Sequence, residues 1–187
     1  LAEERVAAVC RRLREEGVAG ILATVITADI DSMCRRLANI VRAREADAAT
    51  ADVIWGIHIE GPFLNEEPGY IGAHPRECAR PADVDSMKRL LEAAGGLTRI
   101  VTLAPERDTR REVTRYLAKQ GICVSGGHCN PTLDELRAAI DAGLGMFTHL
   151  GNGCPGVLPR HDNIIQRVLS QAERLHIGFI ADGVHVP

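Results

Sequence analysis

Three residues of this sequence are of types, and at positions, that could assemble a metal centre. Glu60 closes the apolar run 53 to 60 in HIEGPF, His128 closes the run 122 to 128 in GGHCN, and His149 ends the run 144 to 150 in THLGNG. Two imidazoles and one carboxylate suit zinc or another borderline divalent ion, and they leave a position for a water whose pKa falls to roughly 7 on zinc. A histidine at one strand end is more often a hydrogen-bonding residue than a ligand, so the expectation rests on three such residues sharing one rim. Competing chemistries fit less well. His58-x-Glu60 opens like a zinc deaminase signature, but no Pro-Cys-x-x-Cys follows, and Cys154-Pro155 runs in the wrong order. Ser125 precedes Gly126-Gly127 without a nucleophile elbow. Cys129 adjoins His128 on what reads as a strand, so it faces away from His128 and is expected to be a packed thiol.

The elements that must position these residues alternate along the chain. Short runs rich in Val, Ile and Leu at 18 to 28, 53 to 60, 99 to 104, 122 to 128, 144 to 150 and 176 to 181 read as buried parallel strands. Between them lie helical patterns at 31 to 47, 83 to 94, 109 to 120, 132 to 142 and 162 to 173, after a mixed-charge amphipathic helix over the first sixteen residues. Thr109-x-x-Glu112 and Thr132-x-x-Glu135 have the form of capping boxes, and Gly17, Gly95, Gly121 and Gly143 stand where helices should stop. Helix-to-strand turns are minimal, whereas the strand-to-helix connections at 61 to 82 and 151 to 161 are long. In parallel α/β folds the carboxyl ends of the strands carry the ligand site, so the long loops mark the functional face. The pattern fits an open doubly wound sheet or most of a TIM-like (β/α)8 barrel. The absence of Gly-x-Gly-x-x-Gly and Walker patterns weakens the former.

Composition narrows the function. The chain has 187 residues, a formal net charge of -3, 45% hydrophobic and 25% charged residues. At this length about 70% of the unfolded chain's surface can be buried, so a metal is not needed as a structural staple. One Trp, two Tyr and three Phe leave few stacking platforms, and there is no broad basic footprint, which argues against nucleic acid as a partner. The Arg pairs at 11/12, 35/36 and 110/111 are expected on solvated helix faces. No apolar run is long enough for a membrane span, and the first residues do not form a signal peptide. Six cysteines without a Cys-x-x-Cys pair suit reduced thiols in a cytoplasmic protein.

The segments HIEGPFLNEEPGYIGAH, VTLAPE, GGHCNPTLDELRAAIDAG, THLGNGCPG and ADGVHVP, in this order, resemble the N-acetylglucosamine-6-phosphate deacetylases of the amidohydrolase superfamily, and the resemblance spans residues 18 to 187. It implies a metal-dependent (β/α)8 barrel that removes acetate from a phosphorylated amino sugar, with one divalent ion per subunit, zinc by preference, on Glu60, His128 and His149. Ala73 and His74 match a loop whose histidine polarises the substrate amide. Asn152 and Gly153 match a segment whose backbone meets the sugar phosphate, and Asp182 and His185 match further substrate contacts. Arg160 matches an arginine given to the neighbouring subunit's phosphate, which implies a homodimer. Where the family usually has aromatic-Asn-Ala-Met, this chain has Gly151-Asn152-Gly153-Cys154. The resemblance also implies that residues 1 to 187 are a partial catalytic barrel, strands 2 to 7. Strand 1 would then precede residue 1, strand 8 with the proton-transferring Asp would lie beyond Pro187, and a small β domain would come from both flanks. Two other readings are a related hydrolase acting on another acetamido sugar or a cyclic amide, and a catalytically silent sugar-phosphate-binding barrel.

Overall fold

The computed structural model describes residues 3–187, so the first two residues of the expected amino-terminal helix lie outside the description. Helices and strands alternate: α1 (Glu3–Glu15), β1 (Ile21–Ile26), α2 (Ile30–Ala46), α3 (Ala48–Val53), β2 (Ile54–Glu60), α4 (Val84–Ala93), β3 (Thr98–Leu103), α5 (Glu112–Lys119), β4 (Cys123–Gly126), α6 (Leu133–Asp141), β5 (Leu144–Phe147), α7 (Ile164–Leu169) and β6 (His176–Ile177). The strands form one all-parallel six-stranded sheet in the order β1-β2-β3-β4-β5-β6. In register, Ile26 pairs with Glu60, Glu60 with Thr102, Thr102 with Ser125 and Ser125 with Met146, so the carboxyl ends of the first five strands lie along one rim.

Apolar residues on one face of the sheet are packed under the helices. Ile57, Ile59, Val101 and Leu103 from the strands, and Met33, Leu37, Met87, Leu90 and Leu117 from the helices, are fully buried in one cluster. Each such side chain contributes about 1.5–3 kcal/mol relative to leaving it in water. A second cluster joins Leu136, Ala139, Leu144, Phe147, Ile164 and Val168 under α6 and α7, and it takes in Cys129, which is 1% exposed, as the packed thiol the sequence implied. All six cysteines are free.

Helix starts are set by polar caps. Asp29, Asp83 and Asn163 each accept a hydrogen bond from a backbone N–H three residues on, and Thr132 with Glu135 forms the expected capping box. Thr109 does not form one. Helix α5 begins at Glu112, its N-cap Arg111 sits at φ 58, and the orphan amides are taken by Asp108, whose carboxylate accepts from Val113 N, Thr114 N and Thr114 Oγ1. Arg111 also departs from the solvated face expected of it. It is 8% exposed, and its guanidinium donates to the carbonyls of Pro105, Asp108 and Glu135. Two further differences stem from length: the helix expected at 162 to 173 divides into α7 and a 3-10 turn at Ala172–Arg174, and the last strand shrinks to two residues. The four glycines Gly17, Gly95, Gly121 and Gly143 all have positive φ after the helices they end.

Candidate metal centre

Glu60 is the last residue of β2, at 7% exposure on the face turned away from the helices. His128 and His149 do not close their strands as the sequence suggested. β4 ends at Gly126 and β5 at Phe147, and each histidine follows two residues later with left-handed backbone, at φ 50 and φ 36. The turn past the strand end brings both rings over the rim toward Glu60. His149 Nε2 lies 2.9 Å and His128 Nε2 3.5 Å from Glu60 Oε1, and the ligand atoms of the three residues lie within 4.8 Å of one another. His128 Nδ1 lies 2.8 Å from the carbonyl oxygen of Tyr70. A carbonyl can only accept, so Nδ1 carries the proton and Nε2 offers its lone pair to the centre. Two loop glycines permit the ring's position. A Cβ on Gly72 would lie 2.9 Å from His128 Cε1, and one on Gly153 would lie 2.8 Å from Nδ1.

The fit to a divalent cation follows from these donors. Burial opposes charge on Glu60, but the imidazoles of His128 and His149 against its carboxylate, with His58 nearby, outweigh it and hold the carboxyl well below the usual carboxylate range. An ionised carboxylate therefore faces two ring nitrogens. His149 Nδ1 is buried without a hydrogen-bond partner, and its Nε2 is the atom turned toward the cluster. A borderline divalent ion suits such a donor set, and its charge would compensate a carboxylate this withdrawn from water.

His74 joins the group from the long loop after β2. Its ring centroid is 4.4 Å from that of His128, and its Nε2 is 3.8 Å from Glu60 Oε2. Burial first, then the neighbouring His128, lowers its pKa to about 4, so the ring is neutral near pH 7. Ala73 is exposed beside it. On the loop after β5, Asn152 is exposed and shares with His149 and His185 a small cavity of about 120 Å³. Asp182 orders this edge: its carboxylate accepts from Val184 N and His185 N and lies 2.7 Å from His185 Nδ1. Pro187 ends the same segment, exposed, and with no side-chain donor or acceptor it takes no part in the ligand set. The carboxylate of the cluster is Glu60. Arg160 stands exposed farther along the loop after β5, outside the histidine cluster. A larger groove of about 640 Å³ lies elsewhere, beside the start of α2, where Arg89 and Arg80 are already paired with Asp31 and Asp83.

Several supporting groups escaped the sequence reading. Tyr70 acts through its carbonyl, which no residue pattern reveals. Beneath the rim runs a ladder of side-chain hydrogen bonds: Thr24 to His58 at 3.2 Å, His58 to Thr102 at 2.8 Å, Thr102 to Thr148 at 2.8 Å and Thr148 to Ser125 at 2.7 Å. The period of two linking His58 to Glu60 placed both on one face, and that signal was legible. Thr27, whose hydroxyl meets His74, carried no signal of its own.

No protein-family profile matches the chain. Among curated proteins, the N-acetylglucosamine-6-phosphate deacetylase of Bacillus subtilis is 38% identical over 180 residues, covering 93% of this chain and 44% of the relative. The N-acetylgalactosamine-6-phosphate deacetylase of Escherichia coli O157:H7 is 32% identical over 171 residues, with 91% and 44% covered. The crystal structure of N-acetyl-D-glucosamine-6-phosphate deacetylase from Mycobacterium smegmatis superposes with a TM-score of 0.77 at 34% identity, over 90% of this chain and 43% of that one. A point mutant of the same protein, also at a TM-score of 0.77, was solved in complex with N-acetyl-D-glucosamine-6-phosphate. The chain thus spans about 44% of the length of these curated relatives.

Proposed function

We infer that the chain belongs with the N-acetylglucosamine-6-phosphate deacetylases, and on that premise we propose that the protein carrying it hydrolyses the acetamido group of N-acetylglucosamine 6-phosphate, releasing acetate. The observation that carries the reading is the convergence of Glu60, His128 and His149 within 4.8 Å, with His74 beside them, at the carboxyl ends of parallel strands. N-acetylgalactosamine 6-phosphate is the second reading, favoured by a 32% identical relative of that specificity.

Glu60, His128 and His149 would hold one divalent ion, zinc suiting their mixed donors, which when bound supplies the Lewis acidity that makes water nucleophilic near neutral pH. His128 keeps its lone pair aimed by donating a hydrogen bond from Nδ1–H to the Tyr70 carbonyl. His74, neutral and buried, offers a donor toward the amide carbonyl, where negative charge develops as the amide is attacked. Around it Ala73, Asp182 and His185 would contact the sugar, and the backbone of Asn152 and Gly153 its phosphate. Arg160, exposed and always charged, would reach a phosphate across a homodimer interface.

The sheet is read as strands 2 to 7 of a (β/α)8 barrel, with strand 1 and the small β domain outside residues 1 to 187, and strand 8 with the proton-transferring Asp beyond Pro187. The single pairing of β1 and of β6 and the 44% coverage support this. Free thiols suit a cytoplasmic setting, and among the described residues no helix is long and apolar enough to cross a membrane. The test assays acetate release by the intact protein from both sugar 6-phosphates, before and after chelation and on return of Zn²⁺. Turnover that chelation abolishes and a divalent ion restores is expected. Absence of acetate release under every divalent ion tried would overturn the reading.

A further inference from the structure

His74 lies on the long connection between β2 and α4, and a ring on so long a loop needs a tether if it is to hold one orientation. Thr27, directly after β1 and 1% exposed, supplies one. Its hydroxyl lies 2.9 Å from His74 Nδ1 and 3.2 Å from the carbonyl oxygen of Glu60, and its backbone N–H donates to the same Nδ1 at 3.4 Å. Space for the hydroxyl exists because residue 61 is glycine at φ 88, where a Cβ would stand 2.0 Å from Thr27 Oγ1.

A backbone N–H can only donate, so the nitrogen facing it must present its lone pair. His74 Nδ1 is therefore the acceptor, of the N–H and of the nearer hydroxyl, and the ring's one proton sits on Nε2. That nitrogen is the one turned toward Glu60 Oε2 and the metal centre, at 3.8 Å. The opposite tautomer would set two N–H groups against each other in a pocket closed to water, leaving a buried donor without an acceptor.

We propose that Thr27 is a positioning residue: it holds His74 as the Nε2–H tautomer and ties that ring to the end of β1, so that a proton donor stands at a fixed place beside the ligand set. The inference rests on the reading of His74 as the group that polarises the amide carbonyl. It adds the residue that keeps the donor pointing inward.

The intact protein, labelled with nitrogen-15 in its histidines, tests this by NMR without substrate, the His74 signals being assigned by comparison with His74→Gln. Nδ1 of His74 should resonate as an unprotonated, hydrogen-bonded nitrogen and Nε2 as a protonated one. Thr27→Val should move Nδ1 toward the position of a free imine nitrogen and lower kcat by roughly 10- to 100-fold at unchanged metal content, and Thr27→Ser should restore both. A protonated Nδ1 in the unmodified protein overturns the proposal, whether or not Thr27→Val folds, as does an Nδ1 signal that Thr27→Val leaves unmoved. A signal that moves while kcat stays constant upholds Thr27 as the tether and removes His74 from the carbonyl instead.

Discussion

His128 is held from several directions. Its Nδ1–H donates to the Tyr70 carbonyl, Gly72 and Gly153 close on one edge of its ring, and Glu60 faces its Nε2. Such a ring loses little freedom on meeting an ion, which favours tight binding. The intact protein is expected to bind one divalent ion per subunit, and the double variant His128→Ala with His149→Ala should lose it. Metal analysis of the purified proteins measures this, and equal stoichiometry in both would remove the two histidines from the ligand set. The proposed reading gives His74 a different task. His74→Ala should keep the metal and lower kcat by roughly 10² to 10³, the scale for loss of one donor to a developing oxyanion. A steady-state assay with parallel metal analysis separates the two roles. The ligand types were legible in the sequence because Glu and His at strand ends are few. Their approach was not, since it depends on a left-handed turn that both histidines adopt although neither is glycine.

Among the elements, the alternation of strand and helix was legible from apolar runs and from stop signals at Gly17, Gly95, Gly121 and Gly143, each of which ends a helix. The start of α5 was not. Thr109 and Glu112 have the spacing of a capping box, yet Asp108, at 3% exposure, already satisfies two backbone donors and the Thr114 hydroxyl, and the chain turns through Arg111 to reach the helix. A buried carboxylate with three donors outcompetes an exposed threonine, and burial is not readable from local sequence. Asp108→Ala should therefore destabilise the protein by about 1–2 kcal/mol, whereas Thr109→Ala should change little. Urea unfolding midpoints compare them. The burial of Arg111 is hidden from local sequence in the same way: its arginine neighbour is exposed, but its own guanidinium has three carbonyls to serve.

At the scale of the molecule, β1 and β6 are each paired on one side only among the described residues, and Ile26 on β1 and Phe179 just past β6 are 41% and 56% exposed. Unpaired edges recruit other edges. Residues 1 to 187 expressed alone should accordingly self-associate and release no acetate, with light scattering and an acetate assay as the measurements. A monodisperse monomer turning over substrate would contradict both the barrel reading and the need for an acid–base group outside this segment. The same strand order bears on how the polypeptide is made. Every strand's neighbour in the sheet is its neighbour in the chain, so a ribosome delivers each new strand-and-helix unit onto a partner that has already emerged. Closing each pair spans only the residues of one connection, which keeps the entropic cost of every step small. In chain order Glu60, the first of the three clustered side chains, leaves the exit tunnel before either histidine does.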